Sequence, residues 1–181
     1  MNQVIIISGS AGTGKSTVAK ALARRFKLRH ISAGGKMREL AKELGFNTKG
    51  REFLKFYNYL RNHSSIDRKL DREIIHEVKE GSCVIESRLA AYIIKLPSFK
   101  ILLKVPDSIA ARRIALRDGI SKSEALNIIR KRNKEDLIRY KKLYNININD
   151  YSIYDMILDT SFFNIKDMNS IIINAVSKVL K

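Results

Sequence analysis

Val4-Ile5-Ile6-Ile7-Ser8-Gly9-Ser10-Ala11-Gly12-Thr13-Gly14-Lys15-Ser16-Thr17 begins as an apolar run and breaks into a glycine-rich stretch that ends on a lysine and two hydroxyl residues. From Gly9 to Ser16 it matches G-x-x-x-x-G-K-[ST], a phosphate-binding pattern whose required setting is a strand before it and a helix after it. Both are present. Val4 to Ile7 reads as a buried strand, and Val18, Leu22 and Phe26 recur at the spacing of one helical stripe. Gly9, Ser10, Ala11, Gly12, Thr13, Gly14, Lys15, Ser16 and Thr17 are therefore the candidate nucleotide cradle, with inward backbone N–H groups and a helix N-terminus to hold phosphates. Lys15 is placed to bridge the β- and γ-phosphates of ATP, and the Ser16 hydroxyl to bind Mg²⁺.

The chain has 181 residues, enough for one well-buried domain and too few for two large ones. No run approaches the roughly 18 apolar residues of a membrane span, and the N-terminus enters a strand, so a cytoplasmic protein with no membrane partner is expected. The single cysteine, Cys83, lies in an apolar run and reads as a buried structural thiol. Lys and Arg number 35 against 18 Asp and Glu, a formal charge of +17. Such an excess suits a nucleic-acid partner. What is expected instead is a cleft for polyanionic mononucleotides beneath a solvated lysine surface, with nucleic acid an unexpected partner, since no nucleic-acid module signature is visible.

Outward from the phosphate loop, strands are expected at Leu28 to Ile31, Cys83 to Glu86, Lys100 to Val105 and Tyr154 to Leu158. Ser32-Ala33-Gly34-Gly35 reads as a turn. Helices are expected over Lys36 to Leu44, Thr48 to Leu60, to Lys79 after Asn62-His63-Ser64-Ser65, Leu89 to Leu96, Asp107 to Asp118, Ser121 to Tyr144 and Lys166 to Val179. Strands alternating with helices imply a parallel sheet covered on both faces, with ligands at the strands' carboxyl ends. Phe53, Phe56, Tyr57 and Tyr59 read as the core of an inserted helical lobe, one of them a candidate pocket wall. His30, His63 and His76 are too scattered for a metal site.

Arginines follow one strand end after another: Arg38, Arg88, Arg113 and Arg117, with Arg132 and Arg139 along the long basic helix. Guanidinium groups grip phosphates bidentately, so this cluster facing a phosphate loop suits a second phosphorylated substrate. Phosphoryl transfer needs mainly alignment, water exclusion and charge neutralisation. Glu86, at a strand tip, is the candidate second Mg²⁺ residue; the alternative is a simple ion pair with Arg88.

Ile31-Ser32-Ala33-Gly34 with Arg38 resembles the segment after strand two of nucleoside monophosphate kinases, whose arginine holds the acceptor's phosphate. Glu86-Ser87-Arg88 resembles their next acidic-x-Arg element. Arg132-x-x-x-Asp136-x-x-Arg139 resembles the helix of cytidylate kinases whose arginines bind phosphate and whose aspartate reaches the acceptor's ribose. Ile66 to Arg72, Arg117 to Ser121, Asp150 to Asp155 and Leu158 to Ser161 resemble segments of the compact archaeal cytidylate kinases. The resemblance implies an α/β three-layer P-loop NTPase sandwich with a five-stranded parallel sheet in the order 2-3-1-4-5. A single domain is implied, with core 1–34 and 81–181, an acceptor-binding insert near 35–80 and a short lid near 112–135. It also implies transfer of the ATP γ-phosphate to CMP or dCMP, with Mg²⁺, by a monomer. Lys15, Arg113, Arg117 and Arg132 are then the catalytic candidates, and Arg38, Arg68, Asp71, Arg88, Asp136 and Arg139 the acceptor-binding ones. Arg68 falls at the family position that contacts cytosine, with Asp71 one turn along; on the residues alone, Asp67, Arg68, Asp71 and Arg72 fit a surface charged face equally well. Gly35, Ala33 and Leu89 depart from residues common in relatives. The rival readings are a kinase for AMP or UMP and an RNA-associated P-loop ATPase.

Overall fold

The computed structural model describes residues 2–48 and 50–180, and strand and helix alternate along them. Val4–Ser8 (β1) is buried at every position, as a strand covered on both faces must be. It feeds Lys15–Phe26 (α1), which buries Val18, Ala19, Leu22 and Ala23. Arg29–Ser32 (β2) is followed by three helices, Ala33–Glu43 (α2), Glu52–Asn62 (α3) and Ser64–Lys79 (α4), before Cys83–Glu86 (β3). Ala90–Ile93 (α5), Ser98–Lys104 (β4), Asp107–Asp118 (α6), Lys122–Tyr144 (α7), Met156–Asp159 (β5) and Ile165–Val179 (α8) complete the order.

The strands pair in parallel in the order β2-β3-β1-β4-β5, as expected. Register sets both Ile7 and Ser32 opposite Glu86, so the carboxyl ends of β1, β2 and β3 rise side by side. That edge is where open parallel sheets bind ligands. One sheet face packs on α1 and α8 through Val18, Leu22, Met168 and Ile172. The other packs on α4 and α5 through Leu70, Ile74, Ala90 and Ala91. Two smaller apolar clusters lie off the sheet. Ala41, Phe53, Phe56, Tyr57 and Leu60 bind α2 to α3, and Ala110, Ala111, Ile114, Ala125 and Ile129 bind α6 to α7.

Local departures from the sequence reading have physical causes. Ser32-Ala33-Gly34-Gly35 is the start of α2 rather than a turn, because the Ser32 hydroxyl accepts the Gly35 N–H at 3.0 Å and caps the helix. A Cβ on residue 35 would lie 3.1 Å from that hydroxyl, so glycine there lets the cap close. The helix read from Thr48 begins at Glu52, and Lys49 within that span lies outside the described residues. The segment read as helix from Leu89 to Leu96 shortens to Ala90–Ile93, since the chain extends from Ile94 to reach a β4 that starts at Ser98. β5 starts at Met156 because Tyr154 N–H still closes a turn on the Tyr151 carbonyl. Cys83 is buried, and burial pushes its thiol up to about 11, with Arg29 opposing. Among the described residues, no helix is long and apolar enough to cross a membrane.

Candidate active site

At the carboxyl edge of the sheet lies a cavity of about 1150 Å³, walled by the phosphate loop, α2, α4, α6, α7 and the segment after β5. The loop's shape follows from its glycines. Gly12 has φ 81°, and a Cβ there would lie 2.9 Å from the Ala110 backbone on α6, so neither the conformation nor the space admits a side chain. Gly14, also left-handed, starts α1 and leaves the helix's first N–H groups facing the cavity. Ser10 and Thr13 act inside the loop. The Ser10 carbonyl accepts Lys15 Nζ at 2.6 Å and the Thr13 hydroxyl at 3.0 Å. Lys15 is only partly buried as a residue, but its ammonium is folded into the loop. Desolvation, then the nearby Arg88 charge, lower its pKa to about 7. A lysine so destabilised as a cation is poised for polyphosphate, whose charge reverses that penalty.

Ser16 and Glu86 meet at the floor. The Ser16 hydroxyl donates to Glu86 Oε2, and the Ser32 hydroxyl donates to Oε1 at 2.9 Å. His30 Nε2 stands 3.4 Å from the same Oε1, a neighbour that sequence spacing did not reveal. Among the described residues, no group of three or more His, Cys, Asp or Glu side chains is positioned to cage a metal by itself. One hydroxyl beside one carboxylate nonetheless fits Mg²⁺, a hard cation that keeps waters and takes most of its remaining ligands from phosphate.

Facing the loop, α7 presents Arg132, Asp136 and Arg139. Asp136 is buried and divides its carboxylate: Oδ2 accepts Arg88 at 2.7 Å and Oδ1 accepts Arg139 at 2.9 Å. Burial by itself would raise its pKa, but Arg88, Arg139 and Arg132 outweigh it and hold the carboxyl below its ordinary value. Arg88 also donates to Asn133 Oδ1 at 2.9 Å. Arg139 makes a 3.3 Å charge contact with buried Asp67. Desolvation dominates at Asp67 and, against the pull of Arg139, pushes its pKa up to about 6. Arg132 donates to the Tyr57 hydroxyl at 2.8 Å and lies over the Phe53 and Tyr57 rings. Its charge is retained because Tyr57 and Asp136 together outweigh desolvation, the largest single effect. Arg132 Nε and Arg139 Nε are buried without hydrogen-bond partners, whereas Arg139 Nη1 faces Asp67 Oδ1. Buried donors of that kind are what an anion satisfies.

The remaining candidates divide. Arg38, Arg117 and Asp71 line the cavity, Arg38 and Arg117 from exposed positions. Arg117 is bidentate to Asp118 at 2.7 and 2.9 Å. Arg113 also lines the cavity but is engaged with the Gly12 carbonyl at 3.2 Å and with Thr160 Oγ1 and O at 3.0 and 2.7 Å, so it ties the phosphate loop to the end of β5. Burial lowers its pKa. Arg68 is exposed and is not among the residues that wall the cavity; its helix neighbour Asp67 turns inward instead. Residues that the sequence reading passed over include Arg112, Asn133, Tyr144 and Thr160. Arg112 carries no motif signal beyond its neighbour Arg113. Thr160 sits in a quoted segment, but only contact with Arg113 gives it a role.

The sequence profile of the cytidylate kinase-like family matches residues 4–162. A cytidylate kinase of Methanocaldococcus jannaschii is 36% identical over 182 aligned residues, covering 98% of this chain and 99% of that protein. One from Pyrococcus horikoshii is 44% identical over 158 residues, 87% of this chain and 80% of that protein. Among solved structures, a shikimate kinase from Bacteroides thetaiotaomicron superposes with a TM-score of 0.58 at 17% identity, covering 98% of this chain and 99% of that one, which is a likeness of fold.

Proposed function

Since the chain belongs to the cytidylate kinase-like family, we propose that it transfers the γ-phosphoryl group of ATP to CMP, giving ADP and CDP. The observation that carries this reading is the opposition, across one cavity, of a lysine folded into a phosphate loop and the buried Nε atoms of Arg132 and Arg139, which have no hydrogen-bond partner. A site for one nucleotide needs the first of these; a second phosphorylated substrate accounts for the other.

In this reading the loop's N–H groups and Lys15 hold the donor's β- and γ-phosphates. Arg38, Arg88, Arg132 and Arg139 hold the phosphate of CMP, or of dCMP, with one of its oxygens in line with the γ-phosphorus. Asp136 fixes two of those guanidiniums by charged hydrogen bonds, so little reorganisation accompanies charge migration. Ser16 and Glu86 would hold Mg²⁺, which supplies charge neutralisation at the phosphates. Arg112, Arg113 and Arg117 line the donor side. We read residues 112–135 as a lid whose closure expels water, and 35–80 as the acceptor lobe; the separate apolar clusters of α2–α3 and α6–α7 support that division. The reading includes a monomer acting in the cytoplasm.

The AMP, UMP and RNA-linked alternatives find no favour in the relatives' names. The test is ADP formation from ATP and Mg²⁺ with CMP, dCMP, UMP, AMP or GMP, each against a control without acceptor. Strong preference for CMP and dCMP is expected. Equal slow hydrolysis in every tube would overturn the proposal.

A further inference from the structure

Tyr144 is the last residue of α7, one turn beyond Tyr140 of the cavity wall. Its ring reaches α4, where its hydroxyl donates to Oδ2 of Asp71, a residue of the cavity wall. No motif marks this contact, which joins residues 73 apart. Desolvation raises the Asp71 pKa, while the Tyr144 hydroxyl and Arg139 counter it. Asp67 and Arg68 on α4 are the other charged groups near the pair.

We propose that Tyr144 is a specificity-determining positioning residue: by occupying Oδ2 of Asp71 it keeps that carboxylate acceptor-only and turned to the cavity, so that acceptor bases presenting an amino group are preferred to those presenting a carbonyl. The chemistry is a matter of donors and acceptors. An ionised carboxylate only accepts, and so pairs with the N4 amino group of cytosine and repels the O4 of uracil. A carboxyl that has taken up a proton has an O–H to offer and loses that discrimination. A tyrosine hydroxyl aimed at one oxygen favours the ionised form and removes one rotamer's freedom. Polar groups committed in this way reject a ligand of the wrong polarity far better than apolar walls do.

The inference rests on the CMP-kinase reading and on Asp71 facing the base, and the experiment separates the three. kcat and KM for CMP and for UMP are measured on the unmodified protein, Tyr144→Phe, Asp71→Asn and the double variant, with ATP KM and melting temperature alongside. Tyr144→Phe is expected to lower the CMP:UMP ratio of kcat/KM about tenfold, mainly through KM for CMP, with ATP KM unchanged. Asp71→Asn, which offers an acceptor and a donor alike, should lower it further, and adding Tyr144→Phe to it should change nothing more. If Tyr144→Phe fails to fold, Tyr144→Met removes the same donor and must also lower the ratio. A ratio that survives Tyr144→Phe while falling in Asp71→Asn overturns the role of Tyr144. An equal effect of Tyr144→Phe with and without Asp71 does the same, by showing that the ring acts through packing. A ratio that survives Asp71→Asn removes the base reader itself, and absence of any acceptor turnover in the unmodified protein removes the kinase reading.

Discussion

Ser16 and Glu86, 70 residues apart in the chain, are joined side chain to side chain, with the Ser16 hydroxyl donating to Glu86 Oε2. The contact places a hydroxyl and a carboxylate on the same side of the phosphate loop. Removing either group should raise the Mg²⁺ concentration needed for half-maximal rate by roughly 10–100-fold. Initial rates of Ser16→Ala and Glu86→Gln against free Mg²⁺, at saturating ATP and CMP, check this. An unchanged Mg²⁺ dependence would remove both residues from the metal's surroundings.

Lys15 gives a proton-linkage prediction. Its pKa of about 7 lies below the 10.5 of an unfolded lysine, so between those pH values the unfolded chain binds more protons and this group makes stability rise with pH. Below pH 7 the penalty for the buried cation is present in full. Polyphosphate reverses the shift, so ATP binding at pH 8 should take up close to one proton (~0.9) and at pH 6 close to none. Titration calorimetry in buffers of different ionisation enthalpy reads the number directly. Equal uptake at both pH values would show that Lys15 is charged before the nucleotide arrives.

Two carboxylates contact Arg139, and their environments predict opposite behaviour. Asp136 is held below its ordinary pKa, so its contribution is present above the unfolded value and is lost as pH falls through the folded one. Asp136→Ala strands two partly or wholly buried guanidiniums and should cost about 3–5 kcal/mol at pH 7 by urea unfolding. Asp67 is shifted the other way, to about 6, so its native carboxyl binds protons between pH 4 and 6 that the unfolded chain does not, and stability from this group declines as pH rises through that window. Asp67→Asn should therefore cost much less than Asp136→Ala at pH 7, and the gap should narrow at pH 5. Equal losses would show that Arg139 is held as much by Asp67 as by Asp136.

Arg113 and Arg117 face the same cavity but are predicted to fail differently. Arg113 fastens the Gly12 carbonyl to Thr160, so Arg113→Ala should lower the melting temperature and raise KM for ATP together. Arg117 pairs with its chain neighbour Asp118 at an exposed position, where an ion pair is worth little to stability. Arg117→Ala should leave melting within about 1 °C and lower kcat. A melting loss equal to that of Arg113→Ala would contradict the division.

The sheet was legible because its determinants are local. An apolar run before the phosphate loop, Cys83-Val84-Ile85-Glu86 and the helical stripe of α1 each announce themselves within a few residues. The arginine-rich α7 and the phosphate loop were equally visible as motifs. What escaped was which partner each charge takes. Asp67 and Arg68 are adjacent in the chain, yet one is buried against Arg139 and the other is exposed, and only the packing of α4 against the sheet decides between them. The Ser32 cap was hidden because two glycines suggested a turn, and the cap's reward depends on where the Gly35 N–H points. His30 beside Glu86 and Tyr144 beside Asp71 are pairings across elements, for which spacing along the chain carries no signal.

Among the described residues, the aromatic nucleus of α2 and α3 shares only Met37 with the apolar layer beneath it, whereas the phosphate loop is anchored to β1, α1 and, through Arg113 and Thr160, to β5. The described residues of α2 and α3 thus share little apolar packing with the elements that grip the donor, and meet α7 through polar contacts such as that of Tyr57 with Arg132. Lineages built on this scaffold can retool the wall that meets the acceptor, one aromatic or carboxylate at a time, without disturbing the grip on the triphosphate. Substrate choice then becomes a matter of remodelling one wall of the cavity while the packing beneath the phosphate loop stays as it is.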